Sequence, residues 1–347
     1  MRIVNAMFGK GLGGIEQAFV DYCQALSEKG HDVHVFIHPE ASCSTMTNQL
    51  QLPVWEISNK GQWDFIAAWK LHRKLKKIKP DLVIAHGSRS ISLLRMAGAK
   101  TMLVGVCHNY WFKHIIKCHA IISITDNIRE KLIQQGYPSK QIFSVPNMIR
   151  ENKKKSTIIQ KKPANKKIVI GAMGRFSNVK GFDVFIRALS IIQQHSIEFK
   201  AVLGGAGTDE SNLRQLASEL KLDNSLTFYG WVENKEDFFK QCDIFCVPSR
   251  RESFGIVLLE AFLHNIPVVV TDCEGPCEIV SDGYDALLAP KEDPQKLAIA
   301  IERLLTNKEL ATQLANAAYK TVVEKYTMPV VAETLSNVVL DIASQLK

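Results

Sequence analysis

Short apolar runs alternate along the chain with longer stretches in which apolar residues recur every three or four positions. Residues 2–7 form the first apolar run and lead into a glycine-rich turn, after which come Ile15, Phe19, Tyr22 and Leu26 at helical spacing. This order of strand, loop and helix is typical of a chain that builds a parallel sheet with helical crossovers. Further elements predicted in the first half are strands at residues 31–37, 81–85 and 101–106 and a helix at about residues 63–78.

The alternation restarts after a basic segment at residues 146–167, where lysine and arginine crowd around Pro163 with little apolar periodicity. This segment is the predicted linker. The strands predicted after it are residues 167–173, 199–203, 226–229, 244–247 and 267–270. We therefore predict an α/β protein of two doubly wound, Rossmann-like parallel-sheet domains. Their predicted bounds are residues 1–150 and 151–329, with a final helix at residues 330–347 that completes the first domain.

The composition is that of a folded protein of enzyme size, because 46% of the 347 residues are hydrophobic and 22% are charged. The first residues lack the apolar core and cleavage site of a secretion signal, and no run approaches the roughly 20 apolar residues that cross a bilayer. The eight cysteines are scattered, without the spacing of zinc or redox motifs. These features predict a cytoplasmic protein with free thiols.

The net charge of +8 predicts an anionic partner, which could be nucleic acid, a diphosphate ligand or an acidic membrane surface. The basic residues are not interleaved with aromatic residues in a nucleic-acid motif, so we expect no nucleic acid partner. Residues 69–79 combine Leu71, Leu75 and Ile78 at helical spacing with lysine and arginine on the remaining surface. This segment predicts peripheral association with an anionic membrane surface; the alternative is a solvated helix face.

Two glutamates surround a predicted helix start after the strand at residues 244–247. Glu252 and Glu260 lie on either side of Gly255, and a helix that begins near this glycine exposes free N–H groups that suit a diphosphate. Carboxylates that flank an anion can accept hydrogen bonds from hydroxyl groups, so the pattern indicates a nucleoside diphosphate sugar. In the alternative, the glutamates favour the helix dipole and face solvent. The apolar helix instead favours a partly buried Glu260 that needs a partner.

A basic motif follows the strand at residues 167–173 and contains Arg175 and Lys180. Ligands of open α/β sheets bind at the carboxyl ends of the strands, so these cations can neutralise a diphosphate and the charge that grows on it as it leaves. No aspartate in the sequence is followed two positions later by another aspartate. The acidic pair of metal-dependent transferases is therefore missing, and we expect no metal.

These motifs together resemble the retaining glycosyltransferases of family 4 (glycosyl transferases group 1), and the resemblance extends over nearly the whole chain. It implies the GT-B fold, in which two domains face a cleft and the C-terminal domain binds the nucleotide-sugar donor. It also implies catalytic roles for Arg175, Lys180 and Glu252, with Glu252 on the transferred sugar and Glu260 on the ribose hydroxyls. Further donor contacts implied by the resemblance are Val232, Ser253, Phe254 and Gly255.

The same resemblance extends to the first domain. Gly13 and Gly14 resemble the glycine loop that closes over the diphosphate, and Glu16 lies on its acceptor side. His108 matches the family histidine that contacts the transferred sugar and is the fourth catalytic candidate, while His86, after the strand at residues 81–85, is a second acceptor-side candidate. A dinucleotide site at the glycines is the alternative, but no carboxylate ends the second predicted strand.

The predicted activity is retaining, metal-independent transfer of a hexose-type sugar from a nucleotide-sugar donor to an acceptor. The expected acceptor is a cell-envelope glycan or lipid-linked glycan such as lipopolysaccharide, and no cofactor is expected besides the donor substrate. Two alternatives remain open. One is an epimerase or phosphorylase of the same fold, which needs no separate acceptor, and the other is a non-enzymatic basic binding protein.

Overall fold

The computed structural model describes residues 1–11, 13–98, 101–150 and 167–345. The chain divides into two compact units, one of Met1–Arg150 with Tyr326–Lys347 and one of Glu151–Lys325. Residues 151–166 of the predicted linker lie outside the described residues. No helix of the described part is long and apolar enough to cross a membrane.

The described residues of the first unit form a seven-stranded sheet in which every pairing is parallel. Its strands are β1 (Arg2–Met7), β2 (Asp32–Ile37), β3 (Val54–Glu56), β4 (Leu82–His86), β5 (Met102–Cys107), β6 (Ala120–Ser123) and β7 (Ile142–Ser144). The helices between them are α1 (Gly14–Glu28), α2 (Ser44–Gln49), α3 (Phe65–Ile78), α4 (Gly87–Met96) and α5 (Asp126–Gln134). The strand order β3-β2-β1-β4-β5-β6-β7 reverses direction between β1 and β4.

The second unit repeats this plan, with a six-stranded parallel sheet among its described residues. Its strands are β8 (Val169–Met173), β9 (Lys200–Gly204), β10 (Leu226–Gly230), β11 (Ile244–Val247), β12 (Val268–Thr271) and β13 (Leu287–Ala289). Its helices are α6 (Phe182–Gln194), α7 (Glu210–Glu219), α8 (Lys235–Gln241), α9 (Ile256–Leu263), α10 (Pro276–Ile279), α11 (Pro294–Thr306) and α12 (Lys308–Lys325). The order β10-β9-β8-β11-β12-β13 reverses direction between β8 and β11.

The last helix, α13 (Met328–Ser344), returns to the first unit and packs against α1. Its apolar face is buried, and at its edge Lys29 forms an ion pair with Glu333 at 2.5 Å. His31 adds a hydrogen bond to Ser336 at 2.9 Å. The first unit is therefore built from both ends of the chain. Both sheets have the doubly wound α/β architecture that the sequence predicts.

Candidate functional site

The reversal of strand order in the second unit lies between β8 and β11. The crossover from β8 leads to β9 on one side, whereas β11 is followed by β12 on the other side. The loops that leave the carboxyl ends of β8 and β11 therefore run apart and leave a crevice, which is where open α/β sheets bind their ligands. Both motifs that the sequence singles out, the cationic loop and the glutamate-flanked helix start, follow these two strands.

The loop after β8 carries the two predicted cations in different environments. Arg175 is exposed, and no described carboxylate forms an ion pair with its guanidinium. Lys180 ends a short 3₁₀ helix and is followed by Gly181 with φ of +64°. A Cβ on Gly181 would lie 2.0 Å from the carbonyl oxygen of Pro248, so only glycine lets this loop pass so close to the end of β11.

The loop after β11 places the two glutamates as the sequence predicts, on either side of a helix start. Helix α9 begins at Ile256 with Gly255 as its N-cap residue. The backbone N–H of Gly275 donates to the carbonyl of Glu252 at 3.0 Å. A Cβ on Gly275 would lie 2.4 Å from the backbone nitrogen of Phe254. The segment before α10 is thus packed directly against the predicted diphosphate-binding turn.

Lys180 and Glu252 come together across the crevice, although 72 positions separate them in sequence. Lys180 Nζ lies 2.5 Å from Glu252 Oε2, and their side chains are 23% and 16% exposed. The pair is partly shielded from water, which strengthens it relative to a surface ion pair. The structure thus joins two predicted catalytic residues in one charged contact, while Arg175 has no ion pair with a described carboxylate.

Glu260 has the partner that its position on an apolar helix requires. Its side chain is 14% exposed, and Oε1 accepts a hydrogen bond from Lys235 Nζ at 2.5 Å. Lys235 is the first residue of α8 and is half exposed. The sequence predicts a partly buried Glu260 with a partner, which the structure confirms, but it does not identify Lys235 as that partner.

Arg250 is a second residue that the sequence analysis does not single out. Its guanidinium donates to both carboxylate oxygens of Asp183 at 2.7 Å and to Glu292 at 2.9 Å. It also donates to the carbonyl of Asn178 at 2.9 Å. The hydrogen bonds to Asp183 raise the pKa of Arg250 above its ordinary value. Arg250 therefore ties the loop after β11 to the loop after β8 and fixes the positions of both.

The predicted base-side residue, Val232, lies in the loop after β10 and is buried. A Cβ on Gly204, the last residue of β9, would lie 2.6 Å from a methyl group of Val232. Ser253 lies beside Phe254 in the turn after β11, and Phe254 is buried. All predicted donor contacts of the second unit thus lie at the carboxyl edge of its sheet. Among the described residues, no cluster of three or more His, Cys, Asp or Glu side chains could hold a metal ion.

His86 and His108 form a stacked pair in the first unit. His86 ends β4 and His108 follows β5, and because these strands are neighbours, His86 Nδ1 lies 2.9 Å from His108 Nε2. Burial lowers the pKa of His108 to about 4. Burial and then the neighbouring His108 hold the pKa of His86 well below its ordinary value. Both rings are therefore neutral at pH 7. His86 is 1% exposed and holds His108 in position through the contact between the two rings.

Glycines of the turn after β1 lie close to the carboxylate of Glu16. Helix α1 begins at Gly14, with Gly13 as its N-cap residue in an extended conformation. A Cβ on Gly9 or Gly13 would lie 3.3 or 3.4 Å from an oxygen of Glu16. A side chain at either glycine would therefore press against Glu16. Met7, which precedes the turn, lies opposite His86 in the sheet.

Two family descriptions match the chain, one over each half. Glycosyltransferase Family 4 matches residues 12–153, and Glycosyl transferases group 1 matches residues 154–321. The lipopolysaccharide core biosynthesis glycosyltransferase LpsE of Rhizobium meliloti (strain 1021) is 26% identical over 337 residues, which cover 96% of this chain and 97% of LpsE. LpsD of the same organism, with the same description, is 26% identical over 332 residues, or 94% of each chain.

Solved structures share the fold over almost the full length. The crystal structure of Anabaena HepE in complex with UDP and glucose has a TM-score of 0.85 at 20% identity, with 98% of this chain and 99% of HepE covered. The apo form of the lipopolysaccharide outer core galactosyltransferase WaaB has a TM-score of 0.77 at 17% identity, with 98% and 99% covered. The chain therefore belongs to the family 4, group 1 glycosyltransferases, and it is a glycosyltransferase with the GT-B fold.

Proposed function

We propose that the chain transfers a hexose-type sugar, with retention of anomeric configuration, from a nucleoside diphosphate sugar to a cell-envelope glycan or glycolipid such as lipopolysaccharide. The observation that carries the donor assignment is the meeting of Lys180 and Glu252 at the reversal of strand order. Arg175, which pairs with no described carboxylate, and the start of α9 lie at the same edge of the sheet. The acceptor class is supported by the relatives LpsE and LpsD, which are described as lipopolysaccharide core enzymes. The donor class is supported by HepE, whose structures contain UDP or UDP-glucose.

In this proposal the diphosphate lies against the start of α9, where backbone N–H groups of residues 253–255 and the helix N-terminus stabilise its charge. Arg175 and Lys180 stabilise the additional negative charge as the nucleotide leaves. Glu252 accepts hydrogen bonds from the transferred sugar, and Glu260 accepts them from the ribose hydroxyls. Val232 borders the base. Because positive side chains and N–H groups supply the neutralising charge, we expect the reaction to need no metal ion.

The first unit contributes the remaining roles. Gly13 and Gly14 close over the diphosphate, with Glu16 on the acceptor side of the same turn. His108 binds a hydroxyl of the transferred sugar, and its neutral ring suits a sugar that gains positive charge in the transition state, since an imidazolium would repel that charge. His86 is a positioning residue that acts through His108. The acceptor proton passes to the leaving phosphate, so no side chain is assigned as general base.

A panel of UDP-, GDP- and ADP-sugars tests this proposal in the presence of EDTA. We expect one donor to release its nucleoside diphosphate, and this release to be faster when a glycan acceptor extract from a Gram-negative envelope is added. NMR of the product should show that the transferred sugar keeps the anomeric configuration that it has in the donor. A strict requirement for magnesium or manganese would contradict the metal-free mechanism. Complete turnover without any acceptor would instead favour the epimerase or phosphorylase.

We also propose that the enzyme works at the cytoplasmic face of a membrane, held there by helix α3. Asp64 caps this helix by accepting a hydrogen bond from Ala67 N at 3.0 Å, and the apolar stripe of Leu71, Leu75 and Ile78 is buried. The helix contains no acidic residue. Four large apolar side chains at and just before its N-terminus are exposed, namely Trp63, Phe65, Ile66 and Trp69. Exposed aromatic residues beside a row of cations suit the interface of an anionic bilayer.

Co-sedimentation with phosphatidylglycerol vesicles tests this surface. We expect binding that weakens with salt and that falls in a triple variant of exposed lysines, because each cation near anionic lipid contributes about 1 kcal/mol. Lys74 is left intact since it packs over Trp55. The test variant changes Lys70, Lys76 and Lys77 to glutamine, and the matched control changes the exposed Lys296, Lys308 and Lys320 of the second unit. Equal binding to phosphatidylcholine vesicles, or none at low salt, would contradict the proposal.

A further inference from the structure

A cavity of about 750 Å³ opens at the carboxyl edge of the first sheet. It lies beside the glycine-rich turn but contains none of the residues to which the family resemblance assigns a role. Loops after three consecutive neighbours in the sheet, β1, β2 and β3, form most of its wall, and α4 completes it. The lining residues are Lys10, Gly11, His38, Glu40, Ser58, Asn59, Lys60 and Arg89.

The cavity has an excess of positive charge. Its one carboxylate, Glu40, is already paired with Lys10 at 2.7 Å. Lys60 and Arg89 form no ion pair with any carboxylate in the described ranges. Arg89 is held in place by a hydrogen bond from Nη1 to the carbonyl of Phe8 at 3.1 Å. Lys60 interacts with the nearby Asp64 carboxylate without forming an ion pair, and the cations of the concave site still outnumber its one carboxylate, so the site attracts an anionic ligand.

The cavity also contains buried polar groups that suit a hydroxylated ligand. Asn59 is 5% exposed, and its amide nitrogen donates to the carbonyl of Ile57 at 3.2 Å, while its Oδ1 is buried and accepts no hydrogen bond from the described residues. A buried acceptor without a donor carries the full cost of its desolvation, which a hydroxyl group of a ligand would relieve. His38 accepts a hydrogen bond from the backbone N–H of Glu40 through Nδ1 at 3.0 Å. Because Nδ1 accepts this hydrogen bond, Nε2 carries the ring proton and can act as a donor.

We propose that this cavity binds the acceptor through an anionic group, a phosphate or a carboxylate, carried on a sugar. Lys60 and Arg89 bind the anion, since a lysine ammonium and a planar guanidinium both form charge-assisted hydrogen bonds with such oxygens. Asn59 and His38 bind neighbouring hydroxyls. The inference rests on the proposed transfer reaction and narrows its acceptor to anionic glycans, so an otherwise equal neutral glycan should be a poor acceptor.

Binding of small probes tests the cavity directly. Glucose 6-phosphate, glucuronate and neutral glucose are titrated into the full chain by ligand-observed NMR, with the nucleoside diphosphate of the active donor present at saturation to block the donor site. We expect glucose 6-phosphate, glucuronate or both to bind and glucose to bind at least about tenfold more weakly, as the loss of a charge-assisted hydrogen bond implies. Which anionic probe binds more tightly separates a phosphate acceptor from a carboxylate acceptor.

Variants locate the binding in this cavity. Lys60→Gln and Arg89→Gln should each weaken the anionic probe about tenfold or more, Lys60→Arg should retain most of the affinity, and the exposed control Lys117→Gln should match the unaltered chain. Equal affinity in all variants, no binding of either anionic probe, or equal binding of glucose would overturn the inference. Donor turnover stimulated by the envelope glycan extract is measured alongside for the unaltered chain. If this stimulated turnover is present while neither anionic probe binds, the cavity assignment alone is wrong, whereas its absence would remove the transferase proposal.

Discussion

Replacing Lys180 or Arg175 by alanine should lower kcat by about 10²–10³-fold, with a much smaller change in donor affinity. The negative charge on the leaving diphosphate is greatest in the transition state, so cations that stabilise it lower the barrier more than they strengthen ground-state binding. Lys180 lies 2.5 Å from Glu252, and Arg175 lies on the same loop after β8. Steady-state kinetics with the donor selected by the panel measures both parameters.

Arg187→Ala is the matched control for this experiment. Arg187 is an exposed arginine on α6, the helix that follows the loop after β8. Its replacement by alanine changes the net charge by the same amount as the test variants and leaves the crevice unchanged. The control should keep kcat within about twofold, as is usual for surface substitutions away from special features. If Arg175→Ala and Lys180→Ala raise KM and leave kcat unchanged, these cations bind the ground state alone and the leaving-group role is wrong.

The doubly wound fold can be predicted from the sequence because its central strands are buried on both faces and form continuous apolar runs. β1, β4 and β11 lie within one residue of their predicted bounds. Strands β3, β6, β7 and β13 are missing from the prediction. They contain three or four residues each and lie towards the edges of the sheets, and so short a run carries no periodicity that separates it from a loop.

In the candidate site, too, features set by local sequence can be predicted, whereas features set by long-range contacts cannot. The start of α9 at Ile256 and the partial burial of Glu260 follow from the local pattern of glycine, glutamate and apolar residues. Lys235 and Arg250 were missed because their role depends on contacts made across the unit, which single-sequence spacing does not encode. Gly275 precedes a proline, a weak turn signal, and nothing in its local sequence indicates that it packs against Phe254.

The contact between His86 and His108 depends on the order of strands in the sheet, which the spacing of residues in the sequence does not reveal. The sequence predicts that each follows an apolar strand, which places both at one edge of the sheet. Their contact arises because β4 and β5 are direct neighbours, with His86 opposite Val106 in the register. A crossover to any other strand would have kept His108 away from His86 and in a different electrostatic environment.

The second large effect is expected at Glu260, whose carboxylate is the proposed acceptor for the ribose hydroxyls. Glu260→Ala should weaken donor binding by about 10- to 150-fold, because the partly buried hydrogen bonds to a charged acceptor contribute about 1.5–3 kcal/mol. Lys235→Ala is the matched control. This variant removes the half-exposed lysine of the 2.5 Å ion pair and keeps the Glu260 carboxylate. Donor affinity should therefore stay within about threefold of that of the unaltered chain.

Isothermal titration calorimetry of the nucleoside diphosphate with these two variants and the unaltered chain tests the location of the donor site most directly. The account predicts a loss of about tenfold or more in Glu260→Ala and near-normal affinity in Lys235→Ala, with both variants folded by circular dichroism. Affinity within twofold of the unaltered chain in Glu260→Ala would contradict the placement of the donor at the start of α9.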